Sequence, residues 1–373
     1  MTTTAPASVG MPLGEVETPA LVLDLAAFER NLATMARFVD SQGVRLRAHA
    51  KTHRSVDVAQ AQMSRGGACG LCCQTVGEAE ALVDGGLDDV MISNQVVTPR
   101  KIGRLAALAA RARILVCVDD GENVDALAAT ARGAGAEIEA LVEIDVGAGR
   151  CGVAPGEAAL ALARRIDGAE GLRFAGLQAY QGRAQHIEDY ARRRAAITDA
   201  IGLTRETVTL LDAEGLPCAI VGGAGTGTYP IEGTSGVYNE LQCGSYIFMD
   251  AHYGRVRGET GAPLDAFEHS LFVYASILST AKPGQAVCDA GLKAHSLDSG
   301  PPLVFGRDDL RFLGASDEHG RIDDPGDSLR LNDKLMLIPG HCDPTVNLHE
   351  HYVCVRDSRV EALWPVTARG RSL

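Results

Sequence analysis

Nowhere in the 373 residues is there a run of about 18 apolar residues, so a membrane-spanning helix is not expected. The opening segment, MTTTAPASVGMPLGEVETP, lacks the basic and apolar stretches of a secretory leader, which points to a soluble, cytoplasmic protein. Positive charge is in deficit: 35 Lys and Arg stand against 48 Asp and Glu, a formal net charge of −13. Phosphate backbones and anionic lipids need a basic surface, so neither nucleic acid nor membrane is expected as a partner, and a small molecule is. Low-complexity tracts and charge blocks are missing too. Cysteine is not scarce, but the ten present are scattered, and several sit inside apolar runs, as Cys117 in ILVCVD and Cys354 in YVCV do. Reduced thiols used as small hydrophobes look like this, and no disulfide framework is expected. Cys69-Gly-Leu-Cys72 has redox or zinc spacing, yet it lies in a strand-like run with no second pair, so a metal role there is not expected.

What is present is a repeated unit, a short apolar strand followed by an Ala/Leu/Arg/Glu-rich helical stretch. Strands are predicted at Val44–His49, Ala68–Cys73, Asp89–Ser93, Ile114–Asp119, Ala140–Val146, Phe174–Ala179, Pro217–Val221 and Gln242–Phe248. Eight strands alternating with helices predict an α/β fold, a parallel (β/α)8 barrel of the TIM type. Before it, Pro19–Asp24 reads as a further strand and Leu25–Val39 as a helix. From about His269 the pattern changes to closely spaced strands, at Leu271–Leu278, Gln285–Asp289, Leu310–Gly314, Lys334–Ile338, Tyr352–Arg356 and Val360–Val366. These predict a C-terminal, mainly antiparallel β domain. The expected division is residues 1–24, packing with the β domain, residues 25–265 as the barrel, and residues 266–373 as the β domain. Two domains also suit the length, since single cores stop growing near ~250–300 residues.

A barrel places its chemistry at the C-terminal ends of its strands. Those ends read Lys51, Gln74, Asn94, Asp119, Arg150, Tyr180, a glycine-rich loop and Tyr246. Lys51 is flanked in sequence by Arg47, His49, His53 and Arg54. That crowding is expected to lower its pKa and leave an amine able to form a Schiff base, the alternative being a basic strand end in solvent. The loop Gly222-Gly-Ala-Gly-Thr-Gly-Thr-Tyr229 offers N–H groups and hydroxyls without bulk after the seventh strand, where this fold commonly binds phosphate. Gly147-Ala-Gly149-Arg-Cys-Gly152 matches GxGxxG, but it falls well down the chain with no clear strand-end acid about 20 residues on, so no dinucleotide is expected. Further along, Pro339-Gly-His341-Cys-Asp343 places a His and a carboxylate two apart. In an extended segment both point one way and chelate one ion, with Cys342 facing away; His349 and His351 are an alternative pair. A His plus a carboxylate suits Mg2+, Mn2+ or Zn2+.

The motifs RAHAKTH, CCQTVGEAEALVDGG, GAGRCGV, GLQAYQGRAQH, GGAGTGTY, YNELQCGSYIFMD, CDAGLKAHSLDSG and PGHCDPTVN together resemble the D-threonine aldolase / D-serine dehydratase family. That family is a branch of the fold type III, alanine-racemase-like enzymes, which use pyridoxal 5'-phosphate (PLP). The resemblance runs from about residue 16 to the C-terminus. It implies that Lys51 is the Schiff-base lysine, with Gln74, Arg150 and Tyr180 around the pyridine ring. It implies further that Gly223, Gly225, Thr226 and Gly227 surround the phosphate, that His341 and Asp343 are metal ligands, and that His186 of AQH is a catalytic histidine. Dehydratase members tend to have His-x-Cys at the metal site, so His-x-Asp favours the aldolase side and Mg2+ or Mn2+ over Zn2+.

The implied reaction is retro-aldol cleavage of a D-3-hydroxy amino acid, with 3-hydroxy-D-aspartate, giving glycine and glyoxylate, as the first expectation. D-threonine cleavage and dehydration are the alternatives. A non-catalytic PLP-binding protein would leave His341 and Asp343 without a purpose, and a racemase would need a second tyrosine base that is not evident. A second carboxylate on the substrate calls for a fixed cation: Arg255 is the candidate, with Arg183 and His252 as alternatives. A homodimer is expected from the resemblance alone.

Overall fold

The computed structural model describes residues 5–373. Strand β1 (Ala20–Asp24) and helix α1 (Leu25–Gln42) come first. Next come β2 (Arg45–His49), α2 (Val56–Arg65), β3 (Ala68–Cys73), α3 (Val76–Asp84), β4 (Asp89–Gln95), α4 (Pro99–Ala109), β5 (Arg113–Val118) and α5 (Gly121–Gly133). The series continues with β6 (Ile138–Glu143), α6 (Glu157–Asp167), β7 (Leu172–Gln178), α7 (Tyr190–Ala213), β8 (Ile220–Gly223), α8 (Tyr229–Gly233) and β9 (Glu240–Leu241). Strands β2 to β9 pair in parallel and close into a barrel, β9 returning to β2. Starts and stops follow local chemistry. Asp24, Thr75 and Asp120 accept backbone N–H groups at the first turns of α1, α3 and α5, and Gly43 ends α1 in the left-handed region.

Inside the barrel Cys72, Met91, Leu115, Cys117, Leu141, Ala175 and Ile220 form one apolar layer, so two of the thiols serve as core atoms. All ten cysteines are unpaired. At the barrel floor Arg47, in the middle of β2, is almost fully buried and donates to Glu240 at 2.7 Å and Asp89 at 2.5 Å. That geometry satisfies a buried cation that would otherwise be costly.

The remaining strands are β10 (Leu271–Lys282), β11 (Gln285–Cys288), β12 (Leu303–Val304), β13 (Arg311–Ala315), β14 (Gly320–Asp323) and β15 (Lys334–Ile338), then helix α9 (Cys342–Val346), β16 (His351–Arg356) and β17 (Arg359–Pro365). They form a nine-stranded sheet running β13-β14-β11-β10-β1-β16-β17, with β15 pairing to β10 and β12. All pairs are antiparallel except β1 with β16. Strand β1 is therefore a central member of the C-terminal sheet. One apolar cluster joins the two bodies, with Leu46, Leu241 and Tyr246 of the barrel packed among Leu271, Val273 and Tyr352 of the sheet.

Two readings need correction. The eighth strand, predicted over Gln242–Phe248, is only Glu240–Leu241, and Ser245–Ile247 is a 3-10 turn. Tyr246, Ile247 and Phe248 are buried on every side, and a short apolar run of that kind has the same pattern in a strand or a buried turn. Strands β12 and β14 were not predicted, being two and four residues long with mixed polarity. Among the described residues no helix is long and apolar enough to cross a membrane.

Candidate active site

Lys51 sits in a single 3-10 turn, Ala50–Thr52, directly after β2. It opens onto a cavity of about 310 Å³ at the C-terminal end of the barrel, lined also by His49, Gln74, Ser93, Arg150, Tyr180, Gly225, Thr226, Gly244 and Ser245. No acidic residue is among those lining it, in a chain that carries −13 overall. The floor is held by a polar net: the Gln74 amide meets His49 Nε2 at 3.1 Å and donates to Ser93 Oγ at 3.0 Å. The Arg150 guanidinium lies over the Tyr180 ring, 5.9 Å from its centroid, and 3.9 Å from Glu143. Burial raises the Tyr180 phenol, so it is neutral at pH 7.

The expected lowering of the Lys51 pKa is overturned. Its Nζ donates to Asp343 Oδ2 at 2.7 Å, and that carboxylate holds the ammonium well above its ordinary range despite burial. The neighbouring cations do not act as assumed: Arg47 is spent on the barrel floor, Arg54 pairs with Glu78 at 2.9 Å, and burial keeps His49 and His53 neutral. Sequence proximity therefore misjudged the field at Lys51, because the deciding charge lies 292 residues away.

Asp343 is in the first turn of α9 and His341 caps that helix in an extended conformation, so the pair is not on a strand. They still face each other, His341 Nε2 lying 3.9 Å from Asp343 Oδ1. That oxygen is buried without a hydrogen-bond partner, while Oδ2 takes Lys51. Burial would raise the Asp343 carboxyl, but Lys51 and His341 outweigh it and hold it ionised. An unsatisfied buried carboxylate oxygen opposite an imidazole nitrogen fits a divalent cation. Among the described residues no third His, Cys, Asp or Glu joins them, so water and substrate would fill the other positions. Cys342 faces away, as expected, its Sγ directed at Met249 O. His349 is not part of the pair; it is bonded to Ala294 O at 2.7 Å.

His186 lies in the adjoining wall, not among the residues lining the cavity. Its ring stacks on His252 with centroids 3.7 Å apart and a 6° interplanar angle, and Tyr253 packs 4.5 Å away. Burial, then the nearby His252, His341 and Lys51, push it down to about 3. Its Nδ1 is buried without a partner, so the ring is a neutral imidazole with an unused nitrogen. Arg255 donates to Ser299 O at 3.1 Å and lies 3.5 Å from Glu188, two residues beyond His186.

Of the glycine loop, Gly225 and Thr226 line the cavity. Gly227 spends its N–H on Gln185 Oε1, and a Cβ there would press into the Gln185 carbonyl. At Gly223 a Cβ would stand 2.6 Å from the Tyr238 ring. Tyr246 is fully buried with its hydroxyl at Gln62, and reaches the site only through its N–H, which donates to Thr226 Oγ1 at 2.9 Å. The second half of the cradle is Gly244 and Ser245, which sequence reasoning missed. A Cβ at Gly244 would lie 2.6 Å from Thr52 Oγ1, a tightness one could suspect only from Gly-Ser following a barrel strand. A lysine, an aromatic and arginine wall, and a cradle of glycines and hydroxyls with no acid in it fit PLP.

Barrel, sheet and lysine define a PLP-dependent enzyme of fold type III. A family model described as alanine racemase, N-terminal domain, matches residues 23–252, and a serine dehydratase domain model matches residues 270–355. The chain belongs to the alanine-racemase-like family, in its D-threonine aldolase / D-serine dehydratase branch. It is 50% identical over 369 residues to 3-hydroxy-D-aspartate aldolase of Paracoccus denitrificans (strain Pd 1222), covering 98% of this chain and 95% of that protein. Its structure is similar to D-threonine aldolase from Filomicrobium marinum, with TM-score 0.96 and 48% identity over 99% of this chain and all of that one. It is also similar to a mutant D-threo-3-hydroxyaspartate dehydratase in its metal-free form, with TM-score 0.82 and 26% identity over 95% and 98% of the two chains.

Proposed function

We propose that this chain is a PLP- and divalent-metal-dependent carbon–carbon lyase that cleaves 3-hydroxy-D-aspartate to glycine and glyoxylate. The observation that carries the reading is the meeting of His341 and Asp343 with Lys51, which sets two cation donors beside the amine that would hold the cofactor. The likeness to an aldolase acting on that substrate, at 50% identity over nearly the whole chain, supports the choice of substrate.

When bound, PLP would supply an electron sink for the pair released from the Cα–Cβ bond, and the cation a Lewis acid for the β-hydroxyl. The chain's own residues do the rest. Lys51 anchors the cofactor, Gln74, Arg150 and Tyr180 confine its ring, and Gly225, Thr226, Gly244 and Ser245 receive its phosphate. Gly223, Gly227 and Tyr246 hold that loop in shape. His341 and Asp343 hold the cation, for which Mg2+ or Mn2+ suits the donor set better than Zn2+. His186 starts neutral and accepts the hydroxyl proton, as a general base must. Arg255 receives the substrate's second carboxylate, exchanging its contact with Glu188 for a stronger charge-assisted one. Residues 25–265 act as the cofactor-binding unit, and residues 266–373 with the segment at 1–24 as the unit that brings the metal pair. A cytoplasmic homodimer completes the reading; residues 1–4 of that segment lie outside those described.

The test is an assay of glycine, glyoxylate and ammonia with purified protein, PLP, Mg2+ or Mn2+ and D-threo- or D-erythro-3-hydroxyaspartate, beside D-threonine and with EDTA. Glycine with glyoxylate, formed faster than glycine with acetaldehyde and abolished by EDTA, is the expected result. Acetaldehyde formed faster would make it a D-threonine aldolase, and ammonia with oxaloacetate a dehydratase. Sedimentation at a monomer's mass would remove the dimer.

A further inference from the structure

Asp298 lies in the segment between β11 and β12 and has no part in the reaction proposed above. Its Oδ2 meets His341 Nδ1 at 2.8 Å. Two hydroxyls hold this carboxylate in place: Ser296 donates to Oδ1 at 2.7 Å and Ser299 to Oδ2 at 3.0 Å. The segment itself is tied to the metal helix, because Ser296 N donates to Thr345 Oγ1 at 3.2 Å and that hydroxyl donates to His341 O at 2.8 Å. Arg255 fastens its other end through Ser299 O. The opposite edge of the same imidazole faces Asp343 Oδ1, the buried acceptor without a partner. A ring that gives its Nδ1–H to a carboxylate presents Nε2 as a lone pair, so the contact with Asp298 sets both the tautomer and the aim of His341.

We infer that Asp298 is the positioning residue of the metal pair, fixing His341 with Nε2 toward Asp343 and so setting the affinity for the divalent cation without binding it. The inference rests on the metal reading of His341 and Asp343. A carboxylate behind a metal-bound histidine contributes roughly 10- to 100-fold in metal affinity. An ordinary surface ion pair would leave that affinity unchanged. A third direct ligand would make its loss as severe as that of His341 itself.

The experiment is a Mn2+ titration of the PLP-loaded enzyme, reading free Mn2+ by electron paramagnetic resonance, for wild type, Asp298→Ala, Asp298→Asn and His341→Ala. Asp298→Ala is expected to raise the Kd roughly 10- to 100-fold while leaving the cofactor absorbance and the metal-free Tm unchanged. Asp298→Asn, whose amide oxygen still accepts from Nδ1–H, should recover most of the loss, and saturating Mn2+ should restore kcat in both. An unchanged Kd in Asp298→Ala, or one as weak as in His341→Ala, overturns the positioning role while leaving the metal reading intact. A wild type that does not bind Mn2+ overturns both. If Asp298→Ala does not fold, the double change Ser296→Ala with Ser299→Ala takes its place, and is expected to weaken Mn2+ by a smaller factor. No change there overturns the inference.

Discussion

Lys51 and Asp343 share one hydrogen bond of 2.7 Å across 292 residues of sequence, and each constrains what the other can do. While the carboxylate holds the lysine charged, it is not wholly available to a cation, and an ion there would release the amine. Asp343→Asn should therefore lose Mn2+ binding and reduce turnover on the order of 100-fold or more, while PLP still binds at Lys51. Metal titration beside the cofactor spectrum separates the two, and retained metal-dependent turnover would remove Asp343 from the site. Arg255 makes a sharper claim. Arg255→Ala should lower kcat/KM for 3-hydroxyaspartate by about 10- to 100-fold, the loss of one charge-assisted contact, and change D-threonine little. Equal losses on both substrates would refute the carboxylate role. Lys51, His341 and Asp343 stood out as motifs, and the fold brings the three together, but the field at Lys51 was not legible, since it depends on a partner that only the fold brings near.

The loop from β8 into α8 is built as a relay of hydrogen bonds rather than as an open nest of N–H groups. Gln185 takes the Gly227 N–H and donates to Thr228 Oγ1 at 2.8 Å, and Thr228 donates to Glu232 Oε1 at 2.9 Å. A methyl group at Gly227 meets the Gln185 backbone, whereas at Gly225 it meets the Gln185 side chain, which can yield only by giving up hydrogen bonds of the relay. Gly227→Ala should thus cost more stability and PLP affinity than Gly225→Ala, by about 1–3 kcal/mol, measured as Tm and cofactor Kd. The reverse order would mean that Gly225 owes its size to the phosphate.

Glu232 ends the relay fully buried, one oxygen unsatisfied, and burial pushes its carboxyl up to about 7. A raised carboxyl favours the folded state only while protonated. Its contribution is intact below the ordinary value of 4.5 and is lost as pH rises through about 7. At about 1.4 kcal/mol per pH unit, Glu232→Gln should stabilise the protein by up to roughly 3 kcal/mol at pH 8 and negligibly at pH 4.5. Denaturant unfolding at the two pH values decides this, and an equal effect at both would discard it. Composition suggested a phosphate loop here, yet which N–H groups the loop keeps for itself was invisible, because Gln185 reaches it from the segment before α7.

At the scale of the whole molecule, period alone located seven of the eight barrel strands and missed the two-residue β9, since parallel strands covered by helices leave regular apolar runs. The sheet was read less completely, because β12 and β14 are too short to show a period. The joint between the bodies is one apolar cluster, and the single tryptophan, Trp364 on β17, packs against it from the sheet side. Trp364 fluorescence and PLP absorbance should therefore report one coincident unfolding transition, and two separated midpoints would show that the bodies melt independently. The placement of β1 between β10 and β16 also sets an order of assembly. Strand β1 has no partner in its own sheet until some 250 further residues have emerged from the ribosome. All eight barrel strands have been made by then. On the function proposed above, the cation donors at residues 341 and 343 come later still and are the last part of the site to be supplied, so a nascent chain would carry Lys51 long before it could hold the metal.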